Sequence, residues 1–307
     1  MEIIDQKQCT FTANTDVVWV RSSANGHLYR VTVTRPLVPN ENTQKVRGLI
    51  VVDGDHMAGL LVSSVNIMAM AGEVPPTVVV SVGYPLDTEI PWMVQRGRDL
   101  TPTRFLPYER FTEKTQGDAG PASGGAGSFL EFLTKELMPH VASNYAVEPD
   151  EWTLTGASLG GLFTVYAQLM AATAFRRFNA VSPSLWWDNG WAFAQAKKFL
   201  AEPSTVDAAI YLSAGEFESA ESLAALKQTM PPDLLAVFRD CFECRGTALD
   251  MPIDAHEVAS MLRQKAGLQV NVKTMPGESH TSVMGVAQSH GLRWLHKVTN
   301  RGQGSSS

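Results

Sequence analysis

Cysteine is scarce in this sequence, which has only Cys9, Cys241 and Cys244 among 307 residues. So few cysteines cannot form the disulfide framework of a small secreted domain, and a cytoplasmic location is therefore expected. Cys241 and Cys244 form a single C-x-x-C pair. A structural zinc site needs a second pair of ligands at similar spacing, and none is visible, so we expect no metal site.

Long apolar runs and long charged runs are also absent. The sequence has no stretch of about 18 apolar residues, so no membrane span is expected. The segment MEIIDQKQCTF lacks the basic and apolar regions of a secretory signal, and none is predicted. Lys and Arg number 25 against 31 Asp and Glu, without a run of five like charges. This balance argues against a nucleic-acid partner.

What the sequence does contain is the pattern of an α/β protein. Alternation in HLYRVTVTRP predicts half-buried antiparallel strands near the N-terminus. Apolar runs in VRGLIVVDGD (46–55) and TVVVSVGYP (77–85) instead predict strands buried on both faces. Strand and helix patterns then alternate along the chain. We therefore expect a mostly parallel central sheet with flanking helices and antiparallel N-terminal strands.

The length suits one domain, which we expect over residues 1–300. The Gly- and Pro-rich segment 86–127 is predicted to be a long loop, and segment 219–253 an insertion or a lid. SFLEFLTKELMPHVASNY (128–145) predicts a helix that Pro139 kinks or ends. The tail 301–307 is expected to be disordered.

The segment LTGASLGGLF (154–163) carries the strongest chemical signal. The strand pattern EWTLT runs into Gly156-Ala157-Ser158-Leu159-Gly160, and a helix pattern follows at once. A nucleophile elbow requires this context, because small residues let strand and helix pack closely around an exposed serine hydroxyl. The helix N-terminus behind Ser158 would stabilise a developing negative charge.

A serine nucleophile needs a base and an acid that orients the base, in the chain order serine, acid, histidine. Of seven histidines, only His280 follows a strand pattern and precedes the last helix pattern. Glu216 and Glu218 both follow the strand pattern AAIYLSAG. We prefer Glu218, which lies further along the loop, and keep Glu216 as the alternative. The carboxyl ends of parallel strands meet at one edge, so these side chains are expected to come together.

Six segments resemble, in this order, the esterase-D-like branch of the α/β-hydrolases and most closely its siderophore-esterase-like group. They are LIVVDGDHM, VVVSVGYP, RGRDLTPT, LTGASLGGLF, VSPSLWW and SAGEFE. The resemblance extends from about Val46 to Trp294. It implies an α/β-hydrolase fold, ester hydrolysis without a cofactor, and an oxyanion hole formed by the backbone N–H groups of Leu159 and Asp55.

The resemblance also implies pocket residues. Tyr84, Arg96, Arg98 and Trp186 become candidates for binding the substrate or supporting its pocket. A structural role is equally open for them, since Trp186 could pack and Arg98 could pair with the adjacent Asp99. His56 directly follows the DGD segment and is a further pocket candidate.

The favoured function is a serine carboxylesterase that hydrolyses an ester or a lactone through an acyl-enzyme on Ser158. An acyltransferase that uses an alcohol acceptor, or a non-catalytic binding protein on the same scaffold, is the alternative. The expected partner is a small-molecule ester. Apolar residues of the 219–253 region indicate a hydrophobic acyl or aromatic substrate; they are Leu234, Leu235, Phe238 and Met251.

Overall fold

The computed structural model describes residues 1–8, 12–37, 46–117, 123–171 and 173–300, with the backbone alone for 298–300. The predicted disordered tail, 301–307, and Cys9 lie outside the described residues. Among the described residues, no helix combines the length and the apolar character that crossing a bilayer requires.

In the described chain, nine strands form one sheet in the order β1-β2-β3-β5-β4-β6-β7-β8-β9. The strands are β1 (Glu2–Gln8), β2 (Thr15–Arg21), β3 (Leu28–Thr34), β4 (Val46–Val51), β5 (Thr77–Gly83), β6 (Val147–Ala157), β7 (Arg177–Val181), β8 (Ala208–Gly215) and β9 (Leu268–Met275). Strands β1, β2, β3 and β5 pair antiparallel, and all remaining pairs are parallel. The predicted fold class, an α/β fold with antiparallel N-terminal strands, is confirmed.

Helices flank this sheet. They are α1 (Gly54–Met70), α2 (Trp92–Leu100), α3 (Leu106–Gln116), α4 (Ala126–Glu131), α5 (Met138–Asn144), α6 (Leu159–Met170), α7 (Trp187–Ala201), α8 (Ala220–Thr229), α9 (Pro232–Phe242), α10 (Met251–Leu262) and α11 (Val283–Asn300). A short 3₁₀ turn, Glu216–Glu218, follows β8.

The apolar run of β4 is buried because helices cover both faces of the sheet. Leu49 and Val51 pack in a cluster with α1 residues and Leu292 of α11. Ile50 and Val52 belong to the larger core on the opposite face. A strand that is covered on both sides carries no polar alternate positions, which is why the run is continuous.

The expected loop over 86–127 is wrong in its central part, where the chain forms α2 and α3. Helix α2 buries Val94 and Leu100, and α3 buries Tyr108. Helices in proteins are stabilised mostly by such packing rather than by local propensity, and composition alone does not reveal packing. Residues 118–122 of the segment lie outside the described residues.

Pro139 does not end its helix. Helix α4 continues through a π-helical stretch, Phe132–Leu137, into α5, and the Met138 N–H bonds to the Leu133 carbonyl. Proline has no N–H to donate, and the wider π turn rearranges the hydrogen bonds just before it. The chain therefore stays helical from Ala126 to Asn144.

Candidate active site

Ser158 lies on a sharp turn between β6 and α6. Its backbone has φ of 59° and ψ of −118°, which a residue with a side chain rarely adopts. Its N–H donates to the Val181 carbonyl at 3.0 Å, and its carbonyl accepts the Ser184 N–H at 3.1 Å. Neighbouring backbone on the β7 side therefore holds the serine in a strained conformation at the carboxyl end of the sheet.

The small residues around Ser158 allow β6 and α6 to touch. A Cβ added to Gly156 would lie 2.5 Å from the backbone of Gly160 and 2.6 Å from a methyl group of Val52. A Cβ added to Gly160 would lie 2.9 Å from the same methyl group. These contacts are closer than atoms tolerate, so the turn requires glycine at both positions.

We expect Gly156→Ala to lower the free energy of unfolding by about 1–3 kcal/mol, because the new methyl group overpacks the turn against backbone. Urea denaturation measures the change. Gly59→Ala is the matched control, since a Cβ there would meet nothing within 4 Å in α1. That control should raise stability by up to about 1 kcal/mol. Equal effects at the two positions would contradict the packing argument.

Glu218 and His280 meet at the site. Oε1 of Glu218 is hydrogen-bonded to Nδ1 of His280. The carboxylate is 2% exposed, and its Oε2 accepts the Ser182 hydroxyl at 2.7 Å and the Gly215 N–H. A carboxylate at Nδ1 favours the imidazole tautomer with the proton on Nδ1 and the lone pair on Nε2.

Glu216 lies elsewhere. This residue is exposed, and its Oε2 accepts the Gly277 N–H at 2.7 Å. It thereby joins the 3₁₀ turn after β8 to the loop after β9. The structure brings Glu218, rather than Glu216, to the histidine.

Ser158, Glu218 and His280 line one cavity of about 390 Å³. Its other polar lining residues are Ser184, Ser222, Ser279 and Thr281. Its apolar lining residues are Trp186, Phe217, Leu223, Leu226, Phe238, Phe242, Leu249 and Met251. Six of these apolar residues come from the segment 219–253 that was predicted as an insertion or lid, so this segment lines much of the cavity. Leu234 and Leu235 are not among the lining residues.

Trp186 lines this cavity, but the other predicted pocket residues do not. Arg96 is buried and holds Asp53 through two hydrogen bonds of 2.9 and 2.8 Å. Burial lowers the pKa of this guanidinium, but the Asp53 charge and hydrogen bonds outweigh burial and raise it. Asp53 caps α1 with φ of 55°, so Arg96 fixes the turn between β4 and α1.

Arg98, Tyr84 and His56 also make structural contacts. Arg98 pairs with Asp99 at 2.7 and 2.8 Å, the alternative foreseen from the sequence. Tyr84 is buried, which raises the pKa of its hydroxyl. His56 is exposed, and its ring packs edge-on against Trp92. A substrate contact by any of these residues stays a prediction.

The two expected oxyanion-hole residues lie at helix N-termini. Leu159 opens α6, and Asp55 lies in the first turn of α1. The first N–H groups of a helix have no acceptor within the helix, so both positions suit stabilisation of an anion. The Asp55 carboxylate accepts the Tyr84 N–H at 2.8 Å and pairs with Arg30, which holds this end of α1 in place.

Comparison with known proteins gives the site a context. The family described as "Putative esterase" matches residues 105–235, which include Ser158 and Glu218. The ferri-bacillibactin esterase BesA of Bacillus subtilis is 26% identical over 92% of this chain and 90% of its own length. A siderophore enterobactin esterase of Emericella nidulans is 27% identical over 88% of this chain and 90% of its own length.

The protein is an esterase, and it is similar to siderophore esterases over most of its length. The resemblance inferred from the six sequence segments is thereby confirmed. The solved structure of siderophore hydrolase EstA from Aspergillus nidulans matches the esterase with a TM-score of 0.76 and 25% identity. That match covers 95% of this chain and 97% of the EstA chain, so the two proteins share their fold over nearly their whole lengths.

Sequence reasoning missed residues that support the esterase's site. Ser182 directly follows β7, and Asp53 follows β4, so both occupy the strand ends where functional residues collect. A polar residue just after a buried strand is a pattern that could have identified both of them from the sequence. Phe217 also follows a strand, β8, but an apolar residue there does not point to chemistry, and only the structure shows that it lines the cavity.

The C-x-x-C pair lies next to the cavity wall in the esterase. Cys241 is a buried free thiol in α9, and the Cys244 thiol donates to the Trp186 carbonyl at 3.2 Å. Burial raises the pKa of both thiols. Among the described residues, no group of three or more His, Cys, Asp or Glu side chains is arranged to hold a metal.

Proposed function

We propose that the esterase hydrolyses a carboxylic ester or lactone through an acyl-enzyme on Ser158. The observation that carries this proposal is the buried Glu218 bonded to His280 in the cavity that Ser158 lines. A serine on a strained turn, a histidine and an orienting carboxylate are the three groups that acyl transfer to serine requires.

In the proposed first step, Nε2 of His280 removes the proton of the Ser158 hydroxyl while Oγ attacks the ester carbonyl. The tetrahedral intermediate then expels the alcohol, which receives that proton from the imidazolium. Water enters, gives a proton to Nε2 and attacks the acyl group. Release of the carboxylic acid restores the serine hydroxyl. Glu218 stabilises the positive imidazolium and keeps its Nδ1 proton directed at the carboxylate.

The backbone N–H groups of Leu159 and Asp55 are the proposed oxyanion donors. Each lies in the first turn of a helix, so the partial positive charge of that helix end adds to the hydrogen bond. One donor of this kind is typically worth about 10²–10³ in rate. Burial of the Asp53–Arg96 pair and of Tyr84 beside α1 would keep the second donor in place.

The relatives' names indicate one substrate class. BesA is named for ferri-bacillibactin and the Emericella enzyme for enterobactin, so a siderophore ester is a candidate substrate. Transfer of the acyl group to an alcohol would use the same intermediate, and these names favour water as acceptor. A cytoplasmic location stays a prediction from the few cysteines.

A fluorophosphonate probe tests the proposal directly. We expect one covalent adduct per protein, on the peptide that contains Ser158, because the probe reacts with a serine that a histidine activates. Peptide mapping by mass spectrometry locates the adduct. Protein unfolded in urea should give none. An adduct on Ser182 or Ser184, or no adduct on the folded protein, would refute the assignment.

A further inference from the structure

The cavity beside Ser158 has an aromatic wall. Phe242 of α9 lies between Trp186 and Phe238, with ring centroids 4.5 and 4.7 Å apart respectively. Leu223 and Leu226 of α8 complete this side. Contact between such a surface and another apolar group excludes water and lowers the free energy of the complex.

The cavity has no permanently charged cation for an anionic ligand. None of the described residues that line it is Lys or Arg. Two cations of the 219–253 segment are already paired, since Lys227 binds Glu243 and Arg245 binds Asp254. Glu218 is itself a buried carboxylate at the site. A second negative charge here would lose its hydration without gaining a partner.

Two exposed apolar side chains mark the mouth of the cavity. Phe217 and Leu226 are each 52% exposed, although both line the cavity. Phe217 is adjacent to Glu218, and its N–H is tied to the Glu278 carbonyl in the loop that precedes His280. An apolar ligand would remove both side chains from water beside the reacting groups.

We propose that this cavity binds a neutral alkyl or aryl group of the ester and rejects an anionic one, with Leu226 and Phe217 setting this preference. The proposal rests on the proposed serine esterase function and narrows its substrate to esters whose group in this cavity is uncharged and apolar. The volume of about 390 Å³ falls within the range of small-molecule pockets, roughly 300–1,000 Å³.

Matched esters test the preference. In the acyl arm, p-nitrophenyl hexanoate is compared with the mono-p-nitrophenyl ester of adipic acid, which has the same chain with a terminal carboxylate. In the alcohol arm, phenyl acetate is compared with 4-carboxyphenyl acetate. We expect kcat/KM to favour the neutral ester by about 100-fold in at least one arm, because the cavity leaves a carboxylate unpaired. The arm with the larger ratio shows which side of the ester occupies the cavity.

A new cation should weaken that preference. Leu226→Lys is expected to reduce the neutral-to-anionic ratio by about tenfold, because the ammonium group attracts the carboxylate at the cavity mouth. Gln228→Lys is the control, since it adds the same charge to an exposed position of α8 that does not line the cavity. The ratio should stay unchanged there.

The outcomes separate this proposal from the one on which it rests. Equal kcat/KM for neutral and anionic esters in both arms, with hydrolysis that still requires Ser158, overturns the substrate preference and leaves the esterase mechanism intact. A ratio that Leu226→Lys does not change, or that Gln228→Lys changes equally, overturns the role of Leu226. Hydrolysis that persists without the Ser158 hydroxyl overturns the mechanism itself.

Discussion

Ser158→Ala is expected to lower kcat for p-nitrophenyl acetate by about 10⁴–10⁶-fold and to abolish labelling by a fluorophosphonate probe. The substitution removes the only atom that can form the proposed acyl-enzyme at this turn. Alanine keeps the Cβ and the backbone hydrogen bonds to Val181 and Ser184, so the fold should be unaffected. Initial-rate kinetics and intact-protein mass spectrometry measure the two effects.

Ser184→Ala is the matched control for this experiment. Ser184 lines the same cavity and donates its backbone N–H, which alanine retains, to the Ser158 carbonyl. We expect its rate to stay within about tenfold of the wild type, since no proposed step uses its hydroxyl. Normal turnover in Ser158→Ala would show that another group is the nucleophile.

Glu218→Gln is expected to lower kcat by about 10³–10⁴-fold. Glutamine carries no charge to stabilise the imidazolium, and its amide can donate to Nδ1, which favours the wrong tautomer. In the opposite amide orientation, the NH₂ group would replace the oxygen that accepts both the Ser182 hydroxyl and the Gly215 N–H, so the Gly215 N–H would lose its acceptor. Steady-state kinetics measures the loss, and urea denaturation separates it from unfolding.

Glu216→Gln provides the comparison, two residues away on the same 3₁₀ turn. Glutamine retains a side-chain oxygen that can accept the Gly277 N–H, so the loop contact survives. We expect a change in kcat of less than about threefold, because this carboxylate does not contact His280. A loss confined to Glu216→Gln would reverse the assignment of the acid.

The central sheet could be predicted from the sequence because its signal is local. The runs in β4 and β5 are continuous since both faces are covered, and the alternation in β3 reflects a less deeply buried antiparallel position. Helices α2 and α3 could not be predicted in the same way. Their stability depends on what their buried faces contact, and the surrounding glycines, prolines and charges suggested a loop.

The turn at Ser158 could be predicted and the contact of Arg96 could not, for a similar reason. The turn at Ser158 is encoded by contiguous residues, since close packing of β6 against α6 requires glycine at 156 and 160. The partner of Arg96, by contrast, lies 43 residues away in the chain. A buried arginine that fixes Asp53 and one that binds substrate have the same sequence signature, because charge and residue type do not reveal the contact.

The sequence by itself determined the sheet, the strained turn at Ser158 and the order of serine, acid and histidine, because each depends on a short segment or on chain order. Only the tertiary structure showed that Glu218 rather than Glu216 contacts His280, and only the tertiary structure built the apolar cavity. Glu218 meets His280 across 62 residues, and the cavity wall comes from α8, α9 and the loop that contains Trp186. Such contacts depend on how distant segments pack, which local residue patterns do not encode.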